Sequence, residues 1–154
     1  MSRDLLIVAT YSASMELVWR AITDSELLRE WLMDNDFTAV VGARCQFRMK
    51  PQPGFSGVIQ CEVLEVEAPR RLVYVWDGGG MWGKTTLTWT LSRVGEQTRL
   101  ALEHRGFAGF RPFLLSLMMQ SGWKSKLTKM VPALLERLAV EARTVDAMKS
   151  GRSR

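Results

Sequence analysis

The chain has a single histidine and two cysteines in 154 residues, and no apolar run approaches the length of a membrane span. Each shortage removes a class of function. A zinc site takes three or four ligands from Cys, His and acidic side chains, and His104 with two separated cysteines supplies none of the usual spacings. No metal and no cofactor are therefore expected. Cys45 and Cys61 lack a Cys-x-x-Cys motif and read as small buried hydrophobes, which a reducing compartment would keep unpaired. The first apolar stretch, Leu5 to Ala9, follows Asp4 and is too short for a signal-peptide core. A cytoplasmic protein without membrane insertion is expected. Repeats, low-complexity tracts and internal linkers are missing too. The expectation is one domain over residues 1–147 and a disordered, polar, basic tail over 148–154.

Charge of one sign is also in short supply. The formal net charge is +5, and two of those positive charges lie beyond residue 140. Lys and Arg are scattered rather than gathered into a stripe, so a nucleic-acid partner is not expected. What the chain does have is bulk. Six Trp, six Phe and nine Met within a 47% hydrophobic composition suit an irregular core or the walls of a pocket for apolar ligands.

The order of elements follows from periodicity. Leu5, Ile7, Ala9 and Tyr11 alternate with Leu6, Val8 and Thr10, predicting a strand over about 4–11 largely buried on both faces. Ser14 can cap a helix whose apolar face is Met15, Val18, Trp19 and Ile22. Thr23-Asp-Ser-Glu26 reads as a capping box before a second helix with Leu27, Leu28, Trp31 and Leu32. Cys45, Phe47 and Met49 against Arg44, Gln46, Arg48 and Lys50 form a strand with one wet face. The irregular pattern from Ser56 to Val66 demands a bulge or burial on both faces. A turn at Ala68-Pro69-Arg70 leads to a strand over Leu72–Trp76, and Asp77-Gly78-Gly79-Gly80 to another over Thr85–Arg93. A final strand places His104 on the face of Leu100 and Leu102 and ends at Gly106.

From about Pro112 the period becomes helical, with Trp123, Leu127, Met130 or Val131, Leu134 and Leu138 on one stripe. Pro132 would strand the Thr128 carbonyl and kink this helix. A mostly antiparallel sheet with one apolar face must be covered, and only the last helix is long enough to cover it.

Val18-Trp-Arg-Ala21 with Thr23-Asp24, Glu30-Trp-Leu32 and Pro51-Gln-Pro-Gly-Phe-Ser-Gly57 recur in an order met elsewhere. They are followed by Cys61-Glu-Val-Leu-Glu-Val66, Arg71-Leu-Val-Tyr74, Thr88-Trp-Thr-Leu91 and Leu102-Glu-His-Arg-Gly-Phe107 with Gly122-Trp123. Over about residues 4–140 this order resembles the activator of Hsp90 ATPase homologues of the START-like (SRPBCC) superfamily. The resemblance implies an α+β helix-grip (Bet v 1-like) fold. A curved antiparallel sheet of six to seven strands would wrap a long C-terminal helix around a cavity, with two short helices after the first strand. The glycine-rich Asp77–Lys84 and the bulky Arg111–Met119 depart from the family near the expected mouth.

Within that fold the candidates for ligand contact are Trp31, Phe47, Met49, Trp76, Trp89, His104, Phe107, Met118 and Trp123, with Trp82 and Phe110 near the opening. Tyr74, Gln60 or His104 would serve as polar anchors. Core packing is the competing reading for each. No catalytic residue is assigned, because Glu103 points away from His104 and leaves it without a carboxylate. The expected partner is an apolar or aromatic small molecule, lipid or polyketide-like. The alternatives are an Hsp90-type chaperone partner, as the resemblance implies, and cavity-based cyclase or hydrolase chemistry on His104 with Tyr74 or a nearby carboxylate. Homodimerisation through an exposed strand edge is left open.

Overall fold

A computed structural model describes the backbone of residues 2–80, 83–108 and 110–152, and the side chains of 4–80, 83–106 and 117–150. Seven strands form one antiparallel sheet: β1 (Ser2–Tyr11), β2 (Asp34–Asn35), β3 (Arg44–Arg48), β4 (Val58–Glu67), β5 (Arg71–Asp77), β6 (Lys84–Val94) and β7 (Gln97–Ala108). Their spatial order is β1-β7-β6-β5-β4-β3-β2. Strands β2 to β7 are thus a continuous meander, and β1 joins its far edge beside β7, with Ile7 opposite Leu102. The curled sheet and the long C-terminal helix make the helix-grip fold, with α1 (Met15–Thr23) and α2 (Ser25–Trp31) after the first strand.

Alternation decides the wall. Cys45 and Phe47 on β3, Ile59, Cys61 and Val63 on β4, Leu72, Tyr74 and Trp76 on β5, Leu87, Trp89 and Leu91 on β6, and Leu100, Leu102 and His104 on β7 are all buried. The expected bulge lies between Val63 and Glu65. It changes the phase of β4, which is why Leu64 is exposed. On β1 the expectation of burial on both faces is corrected. Leu6 is 62% and Val8 41% exposed, because the helices cover only the face that carries Leu5, Ile7 and Tyr11. Gly106 does not end β7, which continues to Ala108. A side chain on Gly106 would press against the Lys84 carbonyl at 3.2 Å.

Ser14 caps α1, its Oγ accepting from the Leu17 N–H at 3.2 Å. The cap of α2 is Asp24 rather than Thr23. Asp24 Oδ1 accepts from the N–H groups of Glu26 and Leu27, while Thr23 donates back to the Trp19 carbonyl. A carboxylate at a helix N-terminus also gains from the dipole, which favours it over the hydroxyl one residue earlier.

The terminal helix runs as α3 (Phe110–Ser125), a π-helical turn (Lys126–Met130) and α4 (Val131–Arg152). The region expected to be a disordered tail is thus helical as far as Arg152. The buried stripe is Trp123, Leu127, Val131, Leu134, Leu135 and Leu138, with Val131 rather than Met130 facing the sheet. The π turn is the helix's answer to Pro132. The Val131 N–H bonds to the Lys126 carbonyl, and Pro132 has no N–H to give. In this π register the Leu127 carbonyl is the one that residue 132 would have served, and it is left without a helical donor. The Tyr11 hydroxyl donates to it at 2.5 Å in a buried site. One phenol so ties the first strand to the terminal helix. A second tie is the bidentate pair of Arg137 on α4 with Glu30 on α2, both contacts at 2.7 Å.

Candidate functional site

Between the concave face of the sheet and the terminal helix lies a cavity of about 250 Å³. Its walls are Ile59, Trp76, Thr85 and His104 from the sheet, Leu32 and Met33 after α2, and Met118, Met119, Gly122, Trp123 and Lys126 from the helix. Met49, Gln52 and Phe55 close one side, and Gly78 and Gly83 another. Phe55 reaches the cavity because the segment after β3 doubles back. Gln52 and Phe55 exchange backbone hydrogen bonds at 3.0 and 2.9 Å, and the Met49 N–H donates to the Gly57 carbonyl at 2.8 Å. Gly57 sits at φ +89°, and a Cβ there would lie 2.4 Å from the Met49 carbonyl oxygen. Only glycine permits this approach.

His104 is almost fully buried and has both ring nitrogens engaged. The indole Nε1 of Trp123 can only donate, so at 3.1 Å His104 Nδ1 must accept. Nε2 then carries the ring proton and donates to Thr85 Oγ1 at 2.7 Å. The threonine hydroxyl passes its own hydrogen to the Trp76 carbonyl at 3.4 Å. This chain of donors needs a neutral imidazole. Burial favours the same state by pushing the pKa from 6.5 to about 3, since charge is costly away from water. A histidine whose acceptor nitrogen is already filled from its own wall is poorly placed to take a proton from a guest.

The sequence candidates divide between two places. Met49, Trp76, His104, Met118 and Trp123 are brought together around the cavity. Trp31, Phe47, Tyr74 and Trp89 are packed into the core beside it. The Trp89 indole donates to the Tyr74 hydroxyl at 2.9 Å, and that of Trp31 donates to the Ala21 carbonyl at 2.8 Å. Gln60 is exposed. Trp82 and the side chains of Phe107 and Phe110 lie outside the described residues. Sequence reasoning did not single out Phe55, Thr85, Met119 or Lys126 for the walls. Thr85 was legible in principle, since it shares the inward phase of Leu87 and Trp89.

Trp76 is 3% exposed, yet its Nε1 has no hydrogen-bond partner. Its ring stacks on Trp123 at 5.6 Å between centroids and meets His104 edge-on at 6.0 Å. Cys45 and Cys61 are directly opposed across β3 and β4, buried and not joined by a disulfide. Burial pushes both thiols up from their ordinary pKa. Among the described residues no group of acidic, Cys and His side chains could hold a metal ion, and no helix is long and apolar enough to cross a membrane.

The family model described as activator of Hsp90 ATPase homolog 1-like protein matches residues 12–135. The chain belongs to this family. Its solved neighbours include the Mesorhizobium loti protein MLL2253, at 30% identity and a TM-score of 0.78, covering 88% of this chain and 98% of the neighbour. The Aha1 dimer of Colwellia psychrerythraea is similar at 21% identity and a TM-score of 0.69, covering 86% of this chain and 96% of the neighbour. An Hsp90 activator of Plasmodium falciparum is similar at 20% identity and a TM-score of 0.70, with 86% and 96% coverage. At such identities the last two speak for the fold alone. No curated protein matches the chain.

Proposed function

We propose that this family member binds an apolar small molecule between the sheet and the terminal helix. The observation that carries the reading is the cavity itself, about 250 Å³ in a chain whose neighbouring core is filled by aromatic rings. Its walls have the composition of a ligand site, with apolar and aromatic surface and few polar groups. Met33, Met49, Met118 and Met119 in those walls are flexible enough to close around guests of differing outline. The engaged His104 favours binding over acid–base turnover. The free buried thiols suit a reducing compartment such as the cytoplasm.

Displacement of a fluorescent apolar probe, together with native mass spectrometry of protein from its host, tests the reading. Saturable probe binding that weakens on Gly122→Trp, which would fill the cavity, is the expected result. Binding that is absent, or indifferent to this substitution, rules the cavity out.

A second reading is an Hsp90-type chaperone partner, favoured by the family and by the activator described from Plasmodium falciparum. Stimulation of chaperone ATPase activity would support it, and no stimulation at saturating protein would exclude it. The Colwellia psychrerythraea neighbour is a dimer. Light scattering on this chain decides whether it, too, pairs.

A further inference from the structure

We infer that the guest of this cavity carries a carboxylate and that Lys126 holds it at the mouth. The inference rests on the cavity-binding reading above and deepens it. Lys126 is the sole cationic side chain in the described walls. It is half-buried, and no ion pair joins it to a described residue. It opens the π-helical turn, so the irregular turn imposed next to Pro132 is also the turn that presents an ammonium group to the cavity.

The surroundings have the same sign. Lys50 follows Met49 and Lys84 follows Gly83, while the helix from Phe110 through Leu135 contains Arg111, Lys124, Lys126 and Lys129 and no acid. Three acids adjoin wall residues, and Glu103, beside His104, is paired with Arg105; the other two are also engaged. Asp34 pairs with Arg29 at 3.0 Å, and Asp77 accepts from the Gly79 N–H at 2.9 Å. An incoming anion therefore meets positive charge without a competing carboxylate.

Size narrows the class further. A volume of about 250 Å³ lies at or below the small end of ligand pockets. A two-ring aromatic acid or a medium-chain fatty acid suits a space of this size.

The test compares matched pairs by calorimetry: 2-naphthoate against 2-naphthylmethanol, and decanoate against decanol. Each pair shares its apolar body and differs in charge. The carboxylate of at least one pair should bind about tenfold more tightly, the scale of a partly exposed charge-assisted hydrogen bond. That ratio should fall to about one in Lys126→Met. It should persist in Lys126→Arg, and in Lys129→Met, which alters an exposed lysine of the same turn. Equal binding of acid and alcohol in the unaltered protein, or an undiminished ratio in Lys126→Met, overturns the carboxylate while leaving the cavity reading intact. Failure of all four probes to bind overturns both.

Discussion

Two regions of the sheet's concave face are built from the same kinds of side chain and end differently. In one, Trp31, Tyr74 and Trp89 pack with every indole N–H paired inside the protein, and Trp31 meets Trp89 edge-on at 6.2 Å. In the other, Trp76, His104 and Trp123 are tied to one another and to Thr85, yet a cavity remains beside them and the Trp76 N–H stays unpaired. Aromatic content alone therefore does not decide whether a grip fold is solid or hollow. What differs is the opposing surface. In the filled region the ring that closes over Trp89 is Trp31 of α2. The hollow one faces the helix where Gly122 offers no side chain and Lys126 ends in a charge.

The largest way to sharpen this contrast is truncation in each region. Trp89→Ala should cost about 3–5 kcal/mol in urea unfolding, because a fully buried ring is lost and Tyr74 loses its donor. Met49→Ala, at the half-exposed side of the cavity, should cost under about 1 kcal/mol. Equal losses would erase the distinction.

Next in size is the pH response of the hollow region. The folded pKa of His104, about 3, lies below the ordinary 6.5, so the unfolded chain takes up the proton first. Stability then falls as pH drops through about 6.5 and keeps falling toward about 3, with a slope of up to about 1.4 kcal/mol per pH unit. His104→Asn should flatten the decline between pH 7 and 5 in denaturant titrations. An unchanged slope would show that His104 is not the group responsible.

Smaller again is the tie between first strand and last helix. Tyr11→Phe leaves the Leu127 carbonyl buried without a donor and should cost about 1–3 kcal/mol, read from the shift in unfolding midpoint. The smallest effect compares one substitution in both regions. Trp89→Phe removes a bonded N–H and should cost about 1–2 kcal/mol. Trp76→Phe removes an unbonded one and should change stability by less than about 1 kcal/mol. If Trp76→Phe proved the costlier change, its indole would have a partner in solution.

Much of this was legible in the chain because two periodicities carry it. Cys45 and Phe47 announce β3, and Trp123, Leu127, Leu134 and Leu138 announce the helix that covers the sheet. Alternation also turned His104 inward. It says which face a residue takes, though, and not how far along that face the helix closes down. Phe47, Tyr74 and Trp89 therefore looked the same as Trp76 in sequence. The π turn was hidden for another reason, since Pro132 announces a broken hydrogen bond but not which neighbouring carbonyl will be left over. Lys126 was passed over because a lysine in an apolar stripe reads as solvated surface, and its place in the wall depends on that irregular turn. Leu6 and Val8 misled through their hydrophobicity, which on an edge strand is no guarantee of cover.

The pairing of Ser2–Tyr11 with the last strand of the meander carries a kinetic implication. During synthesis the first ribbon of chain emerges with no neighbour to dock on, and its lateral partner is about a hundred residues away. Loop closure over that separation is slow relative to the local hairpins, so the meander can assemble while this ribbon waits. Until it docks, the flank of Gln97–Ala108 stays open to any extended peptide. Newly made chains are thus most vulnerable to sticking together in that interval, and holding concentration low during refolding should raise the yield.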